Sequence, residues 1–264
     1  MRPEDDRLAQ QPYDLPEIIK QVRARTPARL LAGRSGAAYR TNTQLELRGA
    51  HAAARDAVRA ELNVSADLGD DFVQNWNLFE VCSRAATNNE HILRPDLGRH
   101  LNDASRAEVS QRSTLGNDLQ IVIGDGLSAT AVARQVRPLL PLLYEGATAR
   151  NWSIGGTFVI RHCRVGILND IGDLLGPTVA ILLIGERPGL ATAESLSAYM
   201  GYKPKAADTD ANRNLISNIH ERGVTTEQAA ERILNLAATM MRTQNSGYQL
   251  REELQTIPNL SPCE

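Results

Sequence analysis

In several segments of the first 115 residues the apolar positions recur every three or four residues, the repeat of one helix face. Leu15, Ile18, Ile19 and Val22 in LPEIIKQVRART fit a short amphipathic helix, and the alanine-rich TQLELRGAHAAARDAVRAEL fits a long one. Residues 1–15, polar with two prolines, read as a flexible lead, and TPARLLAGRSGAAYRTNT, broken by glycine and proline, as a loop-rich connection. NLFEVCSRAATNNEHILRPDLGRHLNDASRAEVSQRST reads as two shorter helices interrupted by Pro95 and Gly98. The texture changes at Asn117. DLQIVIG opens a strand, a glycine turn follows, and a helix starts at Ser128, whose hydroxyl can cap the free N–H groups of its first turn. GTFVIRHCRVGILNDIGDLLG reads as a second strand and a short helix. PTVAILLIG is a third strand, nearly continuous Val, Ile and Leu as expected when both faces are covered. SLSAYMGYKPK alternates like a further strand, and TTEQAAERILNLAATMMRTQ is a terminal helix capped by Thr225 or Thr226.

Strands alternating with helices predict an α/β fold: a helical N-terminal region, then a Rossmann-like, mostly parallel doubly wound sheet. The divisions fall at 1–25 (flexible lead and short amphipathic helix), 26–115 (helical) and 116–264 (α/β).

Composition narrows the class. The chain has 264 residues, 42% hydrophobic and 23% charged, and its 29 basic and 31 acidic residues give a net charge of -2. That balance provides no overall attraction to nucleic acid or to an anionic membrane. Cys82, Cys163 and Cys263 are far apart and form no CxxC pair, which argues for a reducing compartment and against a disulfide framework or structural zinc. No apolar stretch approaches the roughly 18 residues of a membrane span. The N-terminus is too acidic and polar for a secretory signal, so the expectation is a cytoplasmic protein.

Three turns fall at predicted strand ends: GDGLSA, HCRVG and GERPG. In open α/β sheets the ligand crevice lies there. GDGLSA fits a loose dinucleotide pattern, in which glycines let a phosphate approach a helix N-terminus. Asp125 between those glycines would repel a pyrophosphate, and the acid about 20 residues on, Glu145, lies at the end of the helix rather than at a strand tip. A nucleotide-binding (NAD-type) oxidoreductase and a structural turn both remain open. NIHERG is near the D-x-H-x-x-G motif that supplies histidine to cobalt in some cobalamin proteins, but Asn218 stands where the orienting carboxylate is needed, so His220 reads as a turn residue. His51, His91, His100 and His162 show no metal-ligand spacing, and neither a nucleophile elbow, a P-loop nor HExxH occurs. Glu186 and Arg187 at the third strand's mouth fit either a ligand contact or an exposed ion pair worth little. The residues alone reach a polar ligand mouth without a catalytic set.

LRPDLGR, DLQIVIGDGLSATAV, FVIRHCRVGILNDIGDLLG, LLIGERPGLATAESLSAY and RNLISNIHERG, in that order, closely resemble the small subunit of ethanolamine ammonia-lyase. The resemblance runs from about residue 26 to the final helix. It implies a non-catalytic small subunit of an adenosylcobalamin-dependent carbon–nitrogen lyase that converts ethanolamine to acetaldehyde and ammonia. In this family the large subunit, a TIM barrel, holds ethanolamine and the radical chemistry, and the complex is a hexamer of large–small pairs. Adenosylcobalamin lies at the interface, with its dimethylbenzimidazole base still on cobalt, so no protein histidine and no other metal ligand is required. By the same resemblance the cofactor contacts are Glu186, accepting from an amide arm of the corrin; Val165, through its backbone or an apolar touch; and Leu215, through its backbone. Residues 116–264 would then be the cobalamin-contacting domain, and Arg187 would brace the turn or the partner. Relatives that work inside a bacterial microcompartment carry a longer N-terminal region, so the helix from Leu15 to Thr26 is read either as an encapsulation signal or as a docking element of a plain cytosolic enzyme.

Overall fold

The computed structural model describes residues 16–25 and 34–252. The expected flexible lead with Leu15, part of the connection after Arg25, and Cys263 lie outside the described residues. In chain order the elements are α1 (Glu17–Ala24), a short hairpin of β1 (Arg34–Ser35) and β2 (Ala38–Tyr39), α2 (Thr41–Arg59), α3 (Val64–Leu68), α4 (Asp70–Asn75), β3 (Glu80–Cys82), α5 (Asn88–Leu93), α6 (Asp103–Arg112), β4 (Leu119–Gly124), α7 (Ala129–Thr148), β5 (Ile154–Arg161), α8 (Ile167–Leu175), β6 (Val179–Gly185), β7 (Leu196–Tyr202), β8 (Asn214–Ile219) and α9 (Thr226–Thr243). The interruption expected at Pro95 and Gly98 lies between α5 and α6, where Leu97–Arg99 form a single 3-10 turn.

Six strands make one mixed sheet in the order β3-β5-β4-β6-β7-β8. The first four run parallel, while β7 returns antiparallel to β6 and β8 antiparallel to β7. The expected α/β class and mostly parallel sheet hold, and the strand expected in SLSAYMGYKPK is present but reversed. The link from Glu186 to Ser195 explains why: a parallel crossover needs about a dozen residues or more, usually with a helix. The stretch read as two shorter helices supplies the edge strand β3, whose three residues are too few to show a period.

Alternation along the central strands divides the core between two faces. Ile121, Ile123, Ile181 and Leu183 face α7 and α9, meeting Val136, Leu140, Ile233 and Met240. Val122, Ala180, Leu182 and Ile184 face the other way, toward Ile167, Leu168 and Ile171 of α8. Every residue of β4 and β6 is buried, as their unbroken apolar runs require. The caps follow the sequence: Ser128 accepts from the Ala131 N–H, and Thr225 forms a capping box with Gln228. Helix α1 buries none of its residues, and Ile18 is 66% exposed. Among the described residues no helix is long and apolar enough to cross a membrane.

Candidate functional site

The C-terminal ends of β4, β5 and β6 open on a cleft of about 410 Å³. The turn after β4 contributes Gly126 and Leu127, the turn after β5 Arg164 and Val165, and the turn after β6 Glu186 and Arg187. Tyr199 and Ser197 of β7 and Leu215 and Ser217 of β8 complete the wall. The cleft therefore lies where the sequence placed a crevice, and Val165, Glu186 and Leu215 all line it. Leu215 sits opposite Tyr199 in the β7–β8 ladder and is 45% exposed.

Glu186 is held rather than free. Its Oε1 accepts from the Ser197 hydroxyl at 2.6 Å and from the Asn218 backbone N–H at 2.9 Å. Both donors are within reach because the β7–β8 ladder shifts register between Leu196 and Ala198, which takes Ser217 and Asn218 out of pairing. Asn218 stands at φ +61, a left-handed conformation that asparagine tolerates better than most residues. Two donors on one oxygen fix the carboxylate's orientation, and Oε2 accepts from no donor among the described residues. A polarised acceptor thus stands at the cleft wall, able to take a charge-assisted hydrogen bond from a ligand N–H. Arg187, expected to brace either this turn or the partner, makes no hydrogen bond or ion pair among the described residues and is exposed, so the turn is not braced by it.

Asp125 is spent inside the protein. Its carboxylate accepts from the His162 N–H at 2.6 Å and the Cys163 N–H at 2.8 Å, tying the β4–α7 turn to the turn that carries Val165. Burial pushes the carboxyl above the ordinary aspartate range, against the opposing pull of those N–H groups. The neighbouring glycines are equally committed. A Cβ on Gly126 would lie 2.3 Å from the Gly185 carbonyl oxygen, and one on Gly185 would lie 2.1 Å from that of Ser128. The GDG turn and the GERPG turn therefore pack backbone against backbone. This contact accounts for the glycine pattern without a nucleotide, and the oxidoreductase reading loses its only support.

His91 and His220 are likewise structural. His220 is buried, with Nε2 donating to Asn218 Oδ1 at 2.8 Å and Nδ1 accepting from the Arg222 N–H at 3.2 Å. Both ring nitrogens are used, and the ring holds the loop that presents Asn218. His91 is buried against the Gly126 carbonyl, 2.7 Å from Nε2, and burial with the nearby Arg164 lowers its pKa from 6.5 to about 4. A histidine kept neutral in the fold but protonated when unfolded stabilises the protein fully above pH 6.5, and that contribution is lost as pH falls toward about 4. His91→Gln should flatten this part of the profile, read as the urea midpoint of variant against wild type across that interval; parallel profiles would contradict it.

The sequence reading missed Ser197 and Asn218. Ser197 carries a faint signal, a lone hydroxyl at a buried position of an otherwise apolar strand. Asn218 carries none, because its backbone rather than its side chain makes the contact.

The protein family described as ethanolamine ammonia-lyase light chain (EutC) matches residues 16–251. The chain is 37% identical to the ethanolamine ammonia-lyase small subunit of Clostridium perfringens over 235 residues, 89% of this chain and 78% of the relative. It is 39% identical to the Fusobacterium nucleatum small subunit over 235 residues, 89% of this chain and 77% of the relative. It is also 39% identical to that of Pseudomonas syringae pv. tomato over 241 residues, 89% of this chain and 83% of the relative.

Proposed function

This chain belongs to the ethanolamine ammonia-lyase light chain family, and we propose that it is the small subunit of such a lyase, forming one wall of an adenosylcobalamin site at the interface with a large catalytic subunit. The observation that supports this reading best is the held carboxylate: Glu186, fixed through Oε1, keeps a second oxygen available in a cleft that also presents Val165 and Leu215.

The cleft's chemistry fits a corrinoid edge. Such an edge alternates apolar ring carbons with amide arms, and the wall alternates Leu127, Val165, Tyr199 and Leu215 with Glu186, Ser197 and Ser217. A cleft of about 410 Å³ takes an edge and some of its arms, leaving the reactive face to the larger partner. When bound, the cofactor would supply a weak cobalt–carbon bond as the source of a radical. This chain's residues bind and orient. Glu186 accepts from an amide N–H, Val165 and Leu215 cover apolar carbons, and Ser197 with the Asn218 N–H holds the carboxylate in register. No proton transfer is assigned to any of them.

The test is ammonia release from ethanolamine with adenosylcobalamin, using this chain alone, a large subunit alone, and the mixture. Release only from the mixture supports the reading, and equal release from the large subunit alone overturns the cofactor role. His220→Ala should leave the visible spectrum of the bound corrinoid unchanged, because both of its ring nitrogens serve the loop; a changed cobalt coordination spectrum would contradict that.

A further inference from the structure

The carboxylate of Glu186 takes its direction from the end of β8 and the loop that follows. Of the two donors on Oε1, the Ser197 hydroxyl is a rotor whose hydrogen follows its acceptor, whereas the Asn218 N–H is rigid backbone. That N–H reaches Oε1 at 2.9 Å with Asn218 at φ +61. An extended Asn218 would turn its N–H elsewhere. A left-handed conformation is unfavourable for a residue with a Cβ, so it persists where the surroundings enforce it.

Two residues of the following loop do the enforcing. His220 is buried, and both of its ring nitrogens are engaged. The Arg222 backbone N–H can only donate, so Nδ1 accepts it at 3.2 Å. Nε2 then carries the proton and donates to Asn218 Oδ1 at 2.8 Å. Gly223 closes the other side. A Cβ there would lie 2.3 Å from the Asn218 carbonyl oxygen, 2.6 Å from Asn218 Nδ2 and 2.8 Å from His220 Nε2. The backbone ties the same span, with the Val224 N–H donating to the Asn218 carbonyl at 2.8 Å. Asn218 is gripped through its side chain and its carbonyl, and its N–H is left facing Glu186.

We propose that His220 and Gly223 are positioning residues for Glu186: by fixing Asn218 they fix the direction in which Oε2 meets a ligand N–H. The ligand rests on the cofactor reading of the preceding subsection, while the positioning rests on the loop geometry alone. Neither residue touches the cofactor. Their part is to keep the acceptor oriented before binding, so that binding does not have to order it.

The first readout needs no cofactor. Amide hydrogen exchange at Asn218, followed in the assembled large–small complex, should quicken several-fold in His220→Ala and in Glu186→Ala. Unchanged exchange in His220→Ala overturns the positioning. The second readout is equilibrium binding of adenosylcobalamin to the same complexes. His220→Gln carries an N–H to the place of Nε2, whereas His220→Asn reaches only the place of Nδ1. Affinity should stay within about twofold of wild type for His220→Gln and fall about fivefold for His220→Asn and His220→Ala, the scale of one neutral hydrogen bond. Gly223→Ala, which forces Asn218 and His220 apart, should match the weaker pair. In a Glu186→Ala background His220→Ala should cause no further loss, because no carboxylate remains to be aimed. Equal losses in the two backgrounds, or equal affinities for His220→Gln and His220→Asn, overturn the proposal, since a general loosening of the loop is blind to Glu186 and to the place of the N–H. If the wild-type complex binds no adenosylcobalamin, the cofactor reading falls, and exchange at Asn218 still decides the positioning.

Discussion

Glu186→Ala should weaken cobalamin binding to the assembled complex about tenfold to a hundredfold while leaving the fold in place. The affinity loss follows from removing a charged acceptor, about 1.5–3 kcal/mol. The fold survives because little is left unpaired. The Asn218 N–H lies at an exposed position, open to water, and the buried Ser197 hydroxyl is a single neutral donor. Stability should therefore fall by only about 1 kcal/mol, seen as a small shift of the thermal midpoint. Glu186→Gln refines the account, since it keeps one acceptor oxygen but presents an NH₂ group in place of the other. Its affinity should lie between those of wild type and Glu186→Ala. Unchanged affinity in Glu186→Ala would remove Glu186 from the site.

Asp125→Ala should behave in the opposite way and cost the fold. It strips the acceptor from the His162 and Cys163 N–H groups, both on buried residues, and each orphaned donor costs about 1–3 kcal/mol. The turn bearing Arg164 and Val165 loses its tether to β4, so weaker cofactor binding should accompany the lost stability. A pH experiment isolates the carboxyl. Because its folded pKa is raised, the stability it contributes is fully present below the ordinary aspartate range and is lost as pH rises through the folded value. The stability difference between wild type and Asp125→Asn should accordingly be largest in acid and shrink as pH rises toward neutrality, measured by denaturant unfolding of the two proteins side by side. A difference that does not change with pH would mean that Asp125 titrates as it does in the unfolded chain.

The long elements were legible because each carries a full period of its pattern. The apolar runs of β4 and β6, the caps Ser128 and Thr225, and the helices α7 and α9 all stand where the residues placed them. The direction of β7 is carried by the short link before it and not by its alternation, which is the same for a parallel and an antiparallel strand. Strand β3 is too short to show a period, and β8, with only Ile216 and Ile219 buried, reads as a turn motif. At the site, position was readable and chemistry was not. Three strand-end turns marked the cleft, yet Val165, Glu186 and Leu215 were singled out by resemblance, since nothing local separates a ligand carboxylate from a surface one. Asp125 shows the same limit. Its charge argued against a pyrophosphate, but its two N–H partners lie 37 and 38 residues along the chain, where only the folded sheet brings them close.

The most direct measurement is equilibrium binding of adenosylcobalamin to the large subunit with and without this chain. Tight binding is expected only when both are present, because Glu186 and its neighbours are proposed to form one wall of the site. Equal affinity in the absence of this chain would contradict it and leave the cleft without a role in holding the cofactor.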